Sequence, residues 1–111
     1  MSHYYNEKDL DRFPEVGRFR SDLFDNFMKY YQEVMGPEGS LTVREKALIA
    51  LAVAHTVQCP YCIDAYTRVS LENGSNLAEM TEAVHVAAAI GGGATLIHGL
   101  QMQNVAAKIS I

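Results

Sequence analysis

The chain has no tryptophan, only three prolines and only two cysteines in 111 residues, and from Ala83 to Ala107 it has no charged residue. Two cysteines exclude a scaffold stapled by several disulfides. Basic runs are missing too. Nine Lys and Arg stand against thirteen Asp and Glu, a formal net charge of −4, which argues against nucleic acid as a partner. The N-terminal MSHYYNEKDLDRF lacks the apolar core of a signal peptide, so no export and a cytoplasmic location are expected. The uncharged stretch is interrupted by His85, Gly91-Gly92-Gly93, His98, Gln101, Gln103 and Asn104. It has no run of about 18 unbroken apolar residues, so two buried or interface-facing helices are expected there and no membrane partner. The glycine triplet lacks the Lys-Ser/Thr of a phosphate loop.

What is present is helical punctuation. Residues 1–20 form a mixed, aromatic N-terminal arm broken by Pro14 and Gly17, and eight of the ten aromatic residues fall in the first 31 positions. Ser21 is the expected cap of a helix from Asp22 to Met35, whose stripe is Leu23, Phe24, Phe27, Tyr31 and Val34. Thr42 and Glu45 fit a capping box opening an apolar helix from Val43 to Val57. Pro60 predicts a helix from Pro60 to Glu72 with Cys59 at its cap, ended by Asn73-Gly74. Asn76 and Glu79 start the next helix, to Ile90. The glycines predict a hinge or close-packing point before a last helix from Ala94 to Ala107. The expectation is one all-α domain over residues 1–111, a compact bundle of about five helices with its core at 40–107, that buries uncharged surface against copies of itself.

Chemistry concentrates at Cys59-Pro60-Tyr61-Cys62. The positive end of a helix dipole faces Cys59, which favours its thiolate, and residues three apart on a helix share a face, so the two sulfurs can close a disulfide. Such a pair reduces an oxidant through a sulfenic acid or exchanges with another dithiol. The bland alternative is a pair of buried small hydrophobes. Zinc needs about four ligands, and two cysteines with His55 supply three, so neither a metal nor a cofactor is expected. His55, four residues before Cys59, is either the nearest base or a core histidine satisfied by a carbonyl. Tyr66, four residues after Cys62, can bring its hydroxyl toward that sulfur. Tyr61 is expected to pack, Glu45 to serve its cap, and His85 and His98 to be satisfied locally or at a subunit contact.

The run REKALIALAVAHTVQCPYCIDAYT (residues 44–67), followed by NGSNLAEMTEAV (residues 73–84), resembles the alkylhydroperoxidase D-like branch of the carboxymuconolactone decarboxylase family. Within it the chain is most similar to small peroxidase-like members associated with arsenosugar biosynthesis. The resemblance covers residues 40–90 well and implies an all-α fold assembling into homo-trimers or homo-hexamers. It also implies a C-x-x-C that reduces hydroperoxides and is recycled by a dithiol reductant, of lipoyl or thioredoxin type. The family's proton relay implies a glutamate at position 47 and a histidine at position 66, where this chain has Ala47 and Tyr66. Cys59 and Cys62 carry over, and His55 with Tyr66 are the substitutes at hand. The resemblance makes Cys62 the peroxide-attacking thiol, whereas helix-end electrostatics favours Cys59.

These features define three readings. The first is a thiol-dependent peroxidase or dithiol–disulfide oxidoreductase acting on a hydroperoxide or disulfide, with Cys59, Cys62, His55 and Tyr66 as site residues. The second is a vicinal-dithiol binder of a soft metal or trivalent arsenic. The third is a structural oligomer with incidental cysteines. Muconolactone decarboxylation would leave the C-x-x-C without a role.

Overall fold

The computed structural model describes residues 5–109. Met1–Tyr4 of the N-terminal arm, and the last two positions of the chain, lie outside the described residues. A 3-10 helix, η1 (Glu7–Gly17), is followed by α1 (Ser21–Met35), α2 (Val43–Thr56), α3 (Pro60–Glu72), α4 (Leu77–Ile97) and α5 (Gly99–Ile109). The all-α expectation holds. Both capping boxes form: the Thr42 hydroxyl accepts from the Glu45 amide while the Glu45 carboxylate accepts from the Thr42 amide, and Asn76 and Glu79 do the same for α4.

Four local expectations are corrected. Ser21 does not cap α1: the N-cap position belongs to Arg20, which makes no side-chain cap and whose guanidinium instead pairs with Asp22 at 2.9 Å. The arm is not broken at Pro14, since Asn6 caps η1 through its side chain and Pro14 is accommodated inside it. The glycine triplet is no hinge either. Helix α4 runs through Gly91, Gly92 and Gly93 to Ile97, and the break falls at His98. Glycine lowers helix propensity by about 1 kcal/mol without removing a backbone donor, so the hydrogen-bond ladder continues. Nor is the triplet a close-packing point within the chain, because a Cβ at any of the three would meet nothing within 4 Å.

The core lies where α2 packs on α3 and α4. Among the described residues its fully buried apolar side chains are Ala47, Leu51, Ala54 and Met80. The opposite face of α2 stays open, with Ile49 and Val53 half exposed. Two long-range ties fix the helix ends. Lys46 Nζ donates to the Val34 carbonyl at 2.6 Å and the Pro37 carbonyl at 2.9 Å, meeting backbone acceptors at the end of α1. The Arg44 guanidinium pairs with Glu79, joining the first turns of α2 and α4.

The bundle is not compact. Its radius of gyration is 18.7 Å, where about 13 Å is usual for a closed domain of this length. Helices α4 and α5 carry much of the uncovered apolar surface. Ile90, Leu96, Ile97, Leu100, Met102 and Val105 are exposed along them. The segment Leu77–Ile109 is long and apolar enough, by length and composition, to cross a membrane, and none of its most apolar window is buried within the chain.

Candidate functional site

Helix α2 ends in a Schellman turn that delivers the chain to the first cysteine. Gln58 takes the left-handed position at φ 57°, its amide donates to the His55 carbonyl, and the Cys59 amide donates to the Ala54 carbonyl at 3.0 Å. Cys59 therefore closes α2 and, with extended backbone at φ −104°, is also the N-cap of α3. Pro60 follows at the first helical position, where its missing N–H costs nothing. The Cys62 amide, one turn in, donates to Cys59 Sγ at 3.2 Å. The two residues are joined as a disulfide with Cα atoms 5.2 Å apart, within the usual range.

The sulfur pair faces a cavity of about 720 Å³ between η1, α1 and α3. Helix α3 contributes Cys59, Tyr61, Cys62, Ala65 and Tyr66. The rest of the lining includes Phe13 and Val16 from η1, and Phe27, Met28 and Tyr31 from α1. Burial raises the Tyr31 phenol above its ordinary value, so it stays protonated and able to donate through the neutral range. At the rim, the charge of Arg12 is met by Glu15 at 2.9 Å and by Asp9 at 3.4 Å. Arg18 also meets Glu15, at 3.4 Å, so the two carboxylates are matched by two guanidinium groups.

The structure thus gathers Cys59, Cys62 and Tyr66 around one cavity and leaves His55 outside its lining. His55 Nδ1 donates to the Leu51 carbonyl at 2.8 Å. This is the carbonyl-satisfied arrangement, and in the neutral ring it leaves the lone pair on Nε2. Tyr61 does pack, edge-on against Tyr5 with centroids 5.2 Å apart, and its hydroxyl also donates to Asp9 at 3.3 Å. Ala47 is 1% exposed, a buried methyl where the resemblance implies a relay glutamate. His85 and His98 are exposed, and no cluster of metal-ligating side chains occurs among the described residues. The walls from η1 and α1 were missed by motif reasoning, which stopped at residue 40. The crowding of aromatics in the first 31 positions was the available signal; Phe13, Phe27 and Tyr31 belong to it, while Tyr4 lies outside the described residues.

Comparison with known proteins agrees with this architecture. The profile of the carboxymuconolactone decarboxylase family matches residues 21–103. A Paracoccus denitrificans protein described as uncharacterized protein 4 in the cox locus is 36% identical over 84 residues, 76% of this chain and 75% of that protein. A crystal structure of a protein from Methanobacterium thermoautotrophicum has a TM-score of 0.57 at 33% identity, covering 92% of this chain and 98% of the other. The chain belongs to the carboxymuconolactone decarboxylase family. That family includes enzymes, and a vicinal cysteine pair at the head of a helix fits its oxidoreductase side.

Proposed function

We propose that the protein is a thiol-dependent peroxidase or dithiol–disulfide oxidoreductase whose redox centre is Cys59–Cys62. The observation that carries this reading is the disulfide at the N-terminus of α3, facing a cavity walled by apolar and aromatic side chains. In the reduced protein one thiolate attacks the distal oxygen of a hydroperoxide. The O–O bond breaks, and the leaving alkoxide takes a proton to become the alcohol. The sulfenic acid so formed is attacked by the second thiol, releasing water and closing the disulfide. Two thiols have then given two electrons, and an external dithiol slim enough to enter the cavity, of lipoyl type, returns them.

Tyr66 on the cavity wall is the proposed proton donor to the alkoxide, while His55, bonded within its own helix and outside the cavity lining, is the weaker candidate for a base. Decarboxylation of a lactone would leave the cysteine pair without a role, whereas the apolar and aromatic walls suit a neutral organic hydroperoxide. Binding of a soft metal or trivalent arsenic by the same pair is the second reading, and it requires the dithiol without turnover. We read the exposed apolar surface of α4 and α5 as an interface between copies of a cytoplasmic trimer or hexamer.

The test is a single-turnover thiol count. Reduced protein is mixed with one equivalent of cumene hydroperoxide, and thiols and alcohol are followed with time. Loss of two thiols per chain with one equivalent of alcohol is expected, and disulfide closure and repeated turnover are abolished in Cys62→Ser. Loss no faster than that of a free model thiol would remove the peroxidase reading. A tight arsenite complex lost with either cysteine would then favour the binding one.

A further inference from the structure

We infer that η1 is the specificity-determining wall of the cysteine site, latched to α3 by the Asp9–Tyr61 hydrogen bond, and that it admits small molecules to the sulfurs while holding protein-sized partners away. The inference rests on Cys59–Cys62 being a redox pair. It concerns a part of the chain that lies ahead of the family-matched residues 21–103.

Three observations support it. First, η1 shares the cavity with the sulfurs, contributing Phe13 and Val16 to the lining that includes Cys59 and Cys62. Second, its anchors are few and specific. Phe13 packs edge-on against Phe24 of α1 with centroids 5.2 Å apart. Gly17 is buried so close to α1 that a Cβ there would stand 2.9 Å from Phe24. On the α3 side, Tyr61 donates to Asp9 and packs edge-on against Tyr5. Tyr61 lies between the two cysteines, so the residue that holds the wall sits within the redox motif itself. Third, η1 is 3-10 over eleven residues with Pro14 inside, and 3-10 runs beyond three or four residues are uncommon because their hydrogen-bond geometry is poor. Such an element has little stability of its own, so its position depends on these anchors. A cavity of about 720 Å³ takes a small organic molecule. A folded protein would have to displace η1 to bring its own thiol in line with the disulfide.

The experiment measures reduction of the oxidised full-length protein by two reagents, tris(2-carboxyethyl)phosphine as the compact probe and thioredoxin as the protein-sized one. The variants are Tyr61→Phe, which keeps the ring and removes the donor, Asp9→Ala, and Phe13→Ala, which loosens the wall on its far side from α3. Each variant is expected to raise the thioredoxin rate at least about tenfold while the phosphine rate changes less than about threefold. Thioredoxin rates within twofold of the parent protein in all three would overturn the inference. So would equal acceleration of both reagents, which would mean a changed disulfide and not a moved wall. Neither rate depends on hydroperoxide turnover. If the thiol count fails but the split between reagents appears, the peroxidase reading falls and the wall stands.

Discussion

The backbone amide of Cys62 donates to the sulfur of Cys59 at 3.2 Å. This one contact ranks the two thiols. Cys59 receives an otherwise orphan helix N–H and faces the positive end of α3, whereas Cys62 is one turn inside the helix and supplies the donor. In reduced protein Cys59 should hold more of its thiolate. At pH 7, iodoacetamide should alkylate Cys59 in Cys62→Ser about 3- to 30-fold faster than Cys62 in Cys59→Ser, the range of a helix-end charge interaction. Mass spectrometry of quenched samples reads the two rates. The reverse order would instead support Cys62 as the attacking thiol, as the family resemblance implies.

Gln58 and Gly74 occupy the same left-handed position in two equivalent turns, at φ 57° and φ 90°. Only the second is glycine. A side chain there costs roughly 1–2 kcal/mol, partly offset by the greater freedom of glycine in the unfolded chain. Gln58→Gly should therefore stabilise the protein by about 0.5–1 kcal/mol, and Gly74→Ala should destabilise it by about 1 kcal/mol or more. Urea unfolding at one fixed protein concentration would show midpoints moving in opposite directions.

Glu79 accepts from the Arg44 guanidinium and from the Asn76 amide, and both hold its carboxyl below the ordinary 4.5. A depressed folded-state value stabilises the protein above the unfolded-state value, and the contribution is lost as pH falls through the folded one. Glu79→Gln should melt below the parent protein at pH 7, and the two melting temperatures should converge below about pH 4. A constant gap across that window would mean that the ion pair and the cap are not what the charge supports.

Ile90 and Leu96 are 71% and 79% exposed on α4 in the single chain. If this surface joins copies, replacing either by glutamate places a charge in an apolar contact, at a cost of several kcal/mol. Sedimentation velocity should show a multiple of the 12.3 kDa chain for the parent protein and smaller species for Ile90→Glu and Leu96→Glu. A parent protein that sediments as a monomer would refute the oligomer.

Most of the local plan was legible in the sequence because its signals are short-range. Thr42 with Glu45, Asn76 with Glu79, and Cys59 before Pro60 each satisfy backbone donors within one turn, so three or four residues suffice to specify them. The failures have equally local causes. Ser21 suits a cap, yet the helix begins one residue earlier, because nothing at Arg20 prevents the chain from turning in. Gly91, Gly92 and Gly93 read as a hinge because glycine is a weak helix former, yet a weak former continues a helix that is already propagating.

What the sequence determined by itself is the helical class, the boundaries of α2 and α3, and the placing of Cys59 and Cys62 one turn apart at a helix start, because periodicity and capping act over at most a few residues. Tertiary structure alone decided which groups surround the sulfurs. Phe13, Phe27 and Tyr31 reach them from 28 or more positions away along the chain, while His55, four residues from Cys59, bonds within its own helix and stays outside the cavity lining. Proximity along a chain reports the next turn, whereas a cavity is made by elements that meet only when their apolar faces pack together.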